Sequence, residues 1–368
     1  MRIEEALTAF LEERERLDVP GNALIVRHGN DELYRHFSGT ARPDTLFRIF
    51  SMTKVVTVTA ALQLYERGLY DMDDPVGDYL PEYARPTVWD DRRQAAVPAL
   101  NTLRIRDLFC MSSGLPYGGD GFETARQVAA KAAELEAKHP GQGYSTLSLV
   151  RSLGSVPLAF EPGTHWMYGM SHDVLGGLIE VLSGLTLGEY MRKHIFEPLG
   201  MHDTFFRCPE GQEHRLADFP TGGAPLVSYG PQARYEAGGG GLLSTADDYM
   251  KLASALTAGG ISRQGVRILS RKMVDLMRMD QLDETQKKDF NWGYLKGYSY
   301  GLGVRTLVDP AKAGIPGSVG EFGWCGVLGT WVMMDPAERL TAVYMHQRTP
   351  NLEAYVQRHL RPMIYALV

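Results

Sequence analysis

The chain has 368 residues, 44% of them hydrophobic and 22% charged, which is enough to bury a full core and to build two lobes. Its formal net charge of −6 leaves no basic surplus, which argues against nucleic acid and anionic lipid surfaces as partners. The cysteines are odd in number and lack C-x-x-C spacing, which argues against a disulfide framework and a zinc site. We therefore expect Cys110, Cys208 and Cys325 to be reduced thiols.

The N-terminal segment predicts an amphipathic helix and no export signal. From Met1 to Pro20 charged residues alternate with apolar ones, without the apolar centre of a signal peptide. No later stretch has the roughly 20 apolar residues that a membrane-spanning helix needs. The sequence therefore predicts a soluble, cytoplasmic protein.

The next segments predict two strands and a buried helix. Apolar-rich runs at Ala23 to Val26 and Leu33 to Phe37 flank a His-Gly-Asn-Asp turn, which is the pattern of a β-hairpin. The apolar segment from Ser51 to Tyr70 predicts a helix that ends at Gly68.

The middle and the end of the chain differ in pattern. Asp71 to about Tyr229 predicts helices joined by Pro and Gly loops, after which the chain returns to sheet and closes with a helix. The helices predicted with bounds are Thr102 to Met111, Glu123 to Lys138, Val174 to Leu182 and Asp247 to Leu256. The late strands predicted are Ser299 to Thr306, Thr330 to Asp335 and Thr341 to His346.

This order of elements predicts an α/β (α+β) fold. Early and late strands would form one antiparallel β-sheet flanked by the N- and C-terminal helices, with an all-α lobe inserted between them. The expected domains are a discontinuous sheet domain, residues 1–70 and 230–368, and a helical lobe, residues 71–229. The active site is expected in the groove between the two.

The first motif with chemical content is Ser51-Met52-Thr53-Lys54, the only S-x-x-K in the chain. Residues three apart lie on one face of a helix, so the Lys54 amine would reach the Ser51 hydroxyl and act on its proton. The helix N-terminus adds unpaired N–H groups beside a developing oxyanion. Burial would lower the pKa of Lys54 and make the neutral amine accessible near pH 7. In isolation, an S-x-x-K motif is more often an N-cap serine followed by a solvated lysine, so the motif alone is a weak signal.

Two further elements add weight to this motif. Tyr168 follows a Glu-Pro-Gly turn and precedes an apolar helix, a position from which its hydroxyl could enter a cleft. From the residues alone, an aromatic ring packed in the lobe with a solvated hydroxyl is the preferred interpretation. Gly323-Trp324-Cys325-Gly326-Val327 precedes a predicted strand, and its backbone N–H groups would lie at the edge of a sheet.

In this order the three elements resemble those of class C β-lactamases, penicillin-binding proteins and their esterase relatives, the serine β-lactamase-like superfamily. Within it the closest resemblance is to the family VIII carboxylesterases. It spans roughly residues 20 to 350, and it is supported by Arg106 to Leu108, Ser112 to Pro116, Gly238 to Leu242 and Ser244 to Ala246.

The resemblance implies a role for each matching residue. Ser51 would be the nucleophile, Lys54 its basic partner and Tyr168 the proton carrier for the leaving group. The oxyanion hole would consist of the backbone N–H groups of Ser51 and Val327. The residues expected to bind substrate are Trp324, Cys325, Gly326, Met170 and Asp173.

Two departures from the lactamase pattern bear on the substrate. Trp324 stands where lactamases and DD-peptidases have a lysine that recognises a carboxylate, and the loss of such a contact costs about 1.5–3 kcal/mol. Met170 stands where they have asparagine. The tryptophan favours neutral, partly apolar esters, although Arg348 or Lys296 would offer a replacement cation. The methionine removes an amide that would hold a substrate amide.

The expected function is that of a serine hydrolase, most simply a carboxylesterase on short-chain neutral esters. The alternatives are a β-lactamase, a D-amino-acid peptidase or amidase, an acyltransferase with the same nucleophile, and a penicillin-binding-like sensor without turnover. A different hydrolase is indicated by the G-x-S-x-G around Ser299, with Asp335 and His346 downstream, but the segment from Gly301 to Arg305 reads as strand where that motif needs a helix.

We expect no cofactor and no metal. H-E-x-x-H, G-x-x-x-x-G-K-[ST] and G-x-G-x-x-G are all absent from the sequence, and His194 and His202 lack an acidic partner pattern. The expected partner is a small-molecule ester or amide.

Overall fold

The structure is a computed structural model that describes residues 2–13, 17–138, 140–141, 143–218, 229–230 and 233–368. Its strands, numbered along the chain, are β1 Gly21–His28, β2 Asp31–Gly39, β3 Phe47–Arg48, β4 Thr87–Asp90, β5 Ala95–Pro98, β6 Thr204–Phe205, β7 Leu243–Ser244, β8 Tyr298–Tyr300, β9 Arg305–Leu307, β10 Phe322–Gly323, β11 Trp331–Asp335 and β12 Leu340–His346. Seven of them form one antiparallel sheet in the order β2-β1-β12-β11-β10-β9-β8. The first and last strands of the chain, β1 and β12, thus lie side by side.

The α-helices are numbered in the same way. They are α1 Ile3–Glu12, α2 Thr53–Glu66, α3 Ile105–Phe109, α4 Glu123–Lys138, α5 Thr146–Leu153, α6 Ser171–Ser183, α7 Leu187–Met191, α8 Glu197–Leu199, α9 Ala246–Thr257, α10 Arg271–Met277, α11 Glu284–Asp289, α12 Pro310–Ala313 and α13 Glu353–Tyr365. A π-helical segment, Arg192–Phe196, joins α7 to α8.

The central sheet is buried on both faces, which explains the continuous apolar runs of its central strands. Ala23 and Ile25 of β1 point into a core shared with α2, α6 and α9. Leu24 and Val26 point to the opposite side, where helices α1 and α13 cover the sheet. Successive residues of a strand face opposite ways, so one strand contributes to both cores.

Most of the sequence expectations hold. The hairpin, the helix from Ser51, the return to sheet and the closing helix are present, and the expected α/β fold with an antiparallel sheet is confirmed. The buried helix ends at Glu66, and Gly68 follows with φ 69°, a left-handed conformation that suits glycine. All three cysteines are buried free thiols.

Two expectations are wrong in part. The segment Ser299 to Thr306 is not one strand, because Gly303, with φ 71°, lies in a turn between β8 and β9, which pair as a hairpin. The middle segment is not all-α, because β4 and β5 form a two-stranded sheet within it. The N-terminal helix is shorter than predicted, and residues 14–16 of that prediction lie outside the described residues.

The division into residues 1–70 with 230–368 and residues 71–229 stays a prediction. The larger core runs through both parts, from Ile25 of the sheet to Leu178 of the middle segment, and residues 219–228 before the proposed boundary lie outside the described part of the chain. No single described helix is long and apolar enough to cross a membrane; Ser171–Ser183 and Leu187–Leu199 meet the criterion only as a pair bent by 74°.

Candidate active site

Ser51 lies in a single 3-10 turn, Phe50–Met52, that leads directly into helix α2. Phe50 has φ 42°, a conformation that side-chain-bearing residues rarely adopt and that the surroundings must hold in place. The turn is anchored at the Ile49 carbonyl, which accepts from the Met52 N–H at 3.1 Å and from the Thr330 hydroxyl at 3.3 Å. Ser51 is partly exposed, whereas residues 52–60 are all buried. The turn therefore presents the hydroxyl of Ser51 at the N-terminal end of a buried helix.

Lys54 lies one turn further along and is fully buried. Its Nζ is 3.2 Å from Ser51 Oγ and 2.8 Å from the Tyr117 hydroxyl, and it donates to the Gly239 carbonyl oxygen at 2.5 Å. A neutral amine has two N–H donors and one lone pair, so this set of three partners leaves the lone pair available for the Ser51 proton.

Burial sets the protonation state of this amine. It lowers the pKa of Lys54 to about 7, although the nearby Asp173 carboxylate favours the protonated form. The lowering expected from the sequence is present, and a substantial fraction of Lys54 is neutral at physiological pH. The amine can therefore accept a proton from Ser51.

Tyr168 lies over the same lysine. Lys54 Nζ is 4.5 Å from the centre of the Tyr168 ring, and the Tyr168 hydroxyl interacts with Ser51. Burial raises the pKa of Tyr168 above its ordinary value, so the side chain is a neutral phenol at pH 7. It can hand on a proton, whereas Lys54 is the better base.

Trp324 holds the Tyr168 hydroxyl. Its indole N–H donates to that oxygen at 2.9 Å, and the two rings are stacked with centroids 5.6 Å apart. Trp324 is 1% exposed, so its single donor is used inside the protein and is not presented to a substrate carboxylate. The structure thus gives Trp324 a positioning role that the sequence did not reveal.

Sequence reasoning also missed Tyr117. The segment around Gly169 pairs with Pro116, and the Met170 N–H donates to the Leu115 carbonyl at 2.9 Å, so this pairing brings Tyr117 beside Tyr168. The two rings meet edge to face at 5.7 Å. The only local signal was the position of Tyr117 directly after the Ser112 to Pro116 stretch.

Asp173 and the glycine run, Gly238 to Gly241, hold the backbone that binds the Lys54 amine. Asp173 is 2% exposed, and its Oδ1 accepts from the Tyr235 hydroxyl at 2.5 Å and from the Gly239 N–H at 3.2 Å. A Cβ on Gly239 would lie 2.6 Å from Asp173 Oδ2, which explains the glycine. Asp173 therefore holds Gly239, the residue whose carbonyl binds Lys54, and its predicted contact with substrate stays a prediction.

The segment Gly323 to Val327, the third motif, lies next to the turn Phe50–Met52 that carries Ser51. A Cβ on Gly326 would lie 2.5 Å from the Ile49 carbonyl oxygen, so the backbone of residues 324–327 runs close past Ser51. Val327 is 46% exposed, and Cys325 and Met170 are buried. Arg348, considered as a replacement cation, instead pairs with Asp18 at 3.3 Å.

The competing site around Ser299 is not assembled. Ser299 lies in β8 and donates to Asp280 at 2.5 Å, whereas His346 lies in β12, four strand spacings or about 19 Å away. His346 Nδ1 contacts the Tyr344 hydroxyl instead. No strand-to-helix turn follows Ser299, since β8 leads into β9.

Comparison with known proteins agrees with this geometry. The Beta-lactamase family model matches residues 7–362. An uncharacterised protein of Mycobacterium tuberculosis is 34% identical over 84% of this chain and 79% of its own. Esterase EstB of Burkholderia gladioli is 30% identical over 90% of this chain and 86% of its own. The structure of EstCE1, a hydrolase with promiscuous acyltransferase activity, superposes with a TM-score of 0.80 at 21% identity, covering 99% of this chain and 98% of that one. The chain therefore belongs to the Beta-lactamase family.

Proposed function

We propose that the chain is a serine carboxylesterase that forms an acyl-enzyme at Ser51 with short-chain, neutral esters and then hydrolyses it. The observation that carries the proposal is the buried Lys54 amine, 3.2 Å from Ser51 Oγ, whose pKa burial lowers to about 7. In this proposal the groove lies between the two predicted lobes, because Tyr117 and Tyr168 come from residues 71–229 whereas Ser51 and Trp324 come from the flanking segments.

In the acylation step Ser51 Oγ attacks the ester carbonyl carbon while Lys54 takes the hydroxyl proton. The tetrahedral intermediate collapses, the bond from carbon to the alcohol oxygen breaks, and Tyr168 gives its proton to that oxygen. Tyr168 then recovers a proton from Lys54, so the proton that Ser51 lost leaves on the alcohol. The products are the alcohol and the Ser51 ester.

The developing oxyanion needs donors that are already in place. The N–H groups of Ser51 and Val327 are the candidates, since the Gly326 backbone approaches the Ile49 carbonyl just before the nucleophile. Neither N–H is hydrogen-bonded to another residue in the described ranges. Deacylation reverses the proton path, with water in place of the alcohol.

An ester is favoured over a β-lactam by Trp324. Lactam antibiotics carry a carboxylate that needs a charge-assisted partner. The indole N–H that stands in place of the lysine is already bonded to Tyr168. The name of the relative EstB, an esterase, agrees with this assignment.

Acyl transfer is the second candidate. It uses the same acyl-enzyme, with an alcohol in place of water, and EstCE1 is described as a hydrolase with that side activity.

The test is to incubate the protein with p-nitrophenyl butyrate and with nitrocefin and to follow both turnover and the mass of the intact protein. We expect ester turnover, a butyryl adduct on the wild type, and a loss of about 10³-fold or more in kcat for Ser51→Ala. Ser299→Ala is the matched control and should keep full activity.

Other outcomes would change the assignment. Faster turnover of nitrocefin than of the ester would make the protein a β-lactamase. An adduct that forms without turnover would indicate a sensor, and full activity in Ser51→Ala would rule out this nucleophile.

A further inference from the structure

Trp292 is a partly exposed aromatic ring beside the candidate catalytic tyrosine. Its ring meets that of Tyr168 edge to face, with centroids 5.4 Å apart, and lies 6.1 Å from the ring of Trp324. Tyr294, also partly exposed, stacks on Trp292 with ring centroids 6.4 Å apart and an interplanar angle of 20°. Trp292 and Tyr294 thus form a continuous aromatic surface that begins at Tyr168; we name it the aromatic platform.

The platform rests on a rigid base. The buried Trp166 contacts Trp292 edge to face at 5.5 Å, and the buried Phe290 lies 6.3 Å from it. The Tyr294 hydroxyl is tied to Glu353 at 3.0 Å. Rings held in this way lose little conformational freedom when a ligand covers them, so their apolar area is available for binding.

The proton path decides which part of an ester meets this platform. Tyr168 protonates the departing alcohol, so the alcohol oxygen must lie within hydrogen-bonding distance of the Tyr168 hydroxyl. That hydroxyl is held at 2.9 Å by the indole of Trp324, which also borders Trp292. The carbon skeleton attached to the alcohol oxygen therefore starts next to the platform, whereas the acyl chain starts at Ser51.

We propose that the aromatic platform, Trp292 with Tyr294, is the subsite for the alcohol part of the substrate, and that the preferred substrates are esters of flat apolar alcohols, either aromatic or alicyclic. This inference rests on the proposed esterase function. A third ring, the exposed Tyr117 with 39% of its surface accessible, flanks Tyr168 at 5.7 Å and would give the alcohol another apolar contact.

The same subsite has a consequence for acyl transfer. After the first alcohol leaves, an apolar alcohol on the platform competes with water for the acyl group. Its oxygen attacks the Ser51 ester carbon, and its proton passes to Tyr168 as Tyr168 gives its own proton to Lys54. The bond from that carbon to Ser51 Oγ then breaks as Lys54 returns a proton to Ser51 Oγ. Transfer to a flat alcohol thus depends more strongly on Trp292 than hydrolysis by water does.

The test compares two butyrates whose alcohols have similar acidity, benzyl butyrate and methyl butyrate, by the ratio of their kcat/KM values in a pH-stat. Wild type should favour the benzyl ester. Trp292→Ala should lower the benzyl-to-methyl ratio about tenfold, and Trp292→Phe should keep most of it, because the aromatic contact is retained. Trp89→Ala, a tryptophan replacement in the β4–β5 hairpin, is the matched control and should leave the ratio unchanged.

A second measurement uses vinyl butyrate as donor and benzyl alcohol as acceptor. Trp292→Ala should lower the ratio of benzyl butyrate to free butyrate among the products. An unaltered benzyl-to-methyl ratio in Trp292→Ala would overturn the inference. A changed preference between benzyl acetate and benzyl hexanoate, with the benzyl-to-methyl ratio unaltered, would also overturn the inference, because it would place the acyl chain on the platform. Failure of the esterase proposal would be visible separately, as activity that survives in Ser51→Ala.

Discussion

At the scale of single residues, Lys54 determines how the site responds to pH. Burial lowers its pKa to about 7 in the folded protein, against an ordinary value of 10.5. Below pH 7 the amine carries a proton and cannot accept the one from Ser51. We therefore expect kcat/KM for a neutral ester to rise with pH, tenfold per unit well below 7, and to level off above it.

The measurement is a profile of kcat/KM between pH 5 and 9 with methyl butyrate, which does not itself titrate. Lys54→Arg should be inactive throughout, because a guanidinium stays protonated at every pH of the profile. A flat wild-type profile from pH 5.5 to 9 would contradict the assignment of Lys54 as the base.

Trp324 should act through Tyr168 and not through substrate binding. Trp324→Phe keeps the buried ring and removes the N–H that donates to the Tyr168 hydroxyl at 2.9 Å. A hydrogen bond of this kind contributes about 0.5–1.5 kcal/mol, so we expect kcat to fall about 3- to 10-fold with KM little changed.

The control for this variant lies in the same sheet. Trp331 is also fully buried, and its indole N–H has no hydrogen-bond partner within the described ranges. Trp331→Phe should therefore leave kcat unaltered at a temperature where both variants are folded. Equal losses of kcat in the two variants would show that ring packing, and not the bond to Tyr168, explains the effect.

At the scale of elements, the glycine run carries the carbonyl that binds Lys54. A Cβ on Gly239 would lie 2.6 Å from Asp173 Oδ2 and 3.2 Å from the Tyr117 hydroxyl, so both groups would have to move. Because the Gly239 carbonyl holds Lys54, we expect Gly239→Ala to lower kcat/KM about tenfold or more and to cost about 1–3 kcal/mol of folding stability.

Gly240→Ala is the neighbouring comparison. A Cβ there would meet nothing closer than the Phe50 backbone at 3.7 Å, an ordinary contact. Both substitutions restrict the unfolded chain equally, so the difference in their activity reports the crowding at Gly239 alone. Equal kcat/KM values, measured with methyl butyrate, would show that the crowding does not matter.

How much the sequence predicts depends on how local the signal is. The sequence points to Ser51 and Lys54 because a spacing of three residues brings them together on one turn. It predicts the hairpin at Gly21–Gly39 because two short apolar-rich runs flank a turn sequence. The sequence does not predict the strands β4 and β5, because their residues are half-buried or exposed and their apolar pattern is weak.

The remainder of the site depends on pairing between distant segments. Tyr117 reaches Lys54 only because residues 115–116 pair with residues 169–170. The carbonyl of Gly239, which binds Lys54, lies 185 residues from Lys54 along the chain. The N–H of Trp324, which binds Tyr168, lies 156 residues from Tyr168. No spacing within one segment encodes such contacts.

At the scale of the whole molecule, helix α13 packs on the sheet that leads into the segment Gly323 to Val327. Apolar residues of α13, among them Val356 and Leu360, cover the face of β11 and β12 opposite the site. Two buried ion pairs add to this contact: Arg361 of α13 with Glu321, and Arg305 of β9 with Glu353 of α13. The position of residues 321–327 therefore depends on how α13 docks.

The pair of Arg361 with Glu321 allows this docking to be measured. Both side chains are fully buried, and Glu321 also accepts from the Tyr298 hydroxyl at 3.1 Å. Arg361→Met leaves the Glu321 carboxylate without its cation, so we expect the free energy of unfolding in urea to fall by about 3–5 kcal/mol. Adding Glu321→Met should restore most of that loss, because the unpaired charge is removed. Arg126→Met, which breaks an exposed pair with Glu123, should cost less than about 1 kcal/mol. A cost for Arg361→Met as small as that of the surface variant would mean that the pair of Arg361 with Glu321 does not contribute to holding α13 against the sheet.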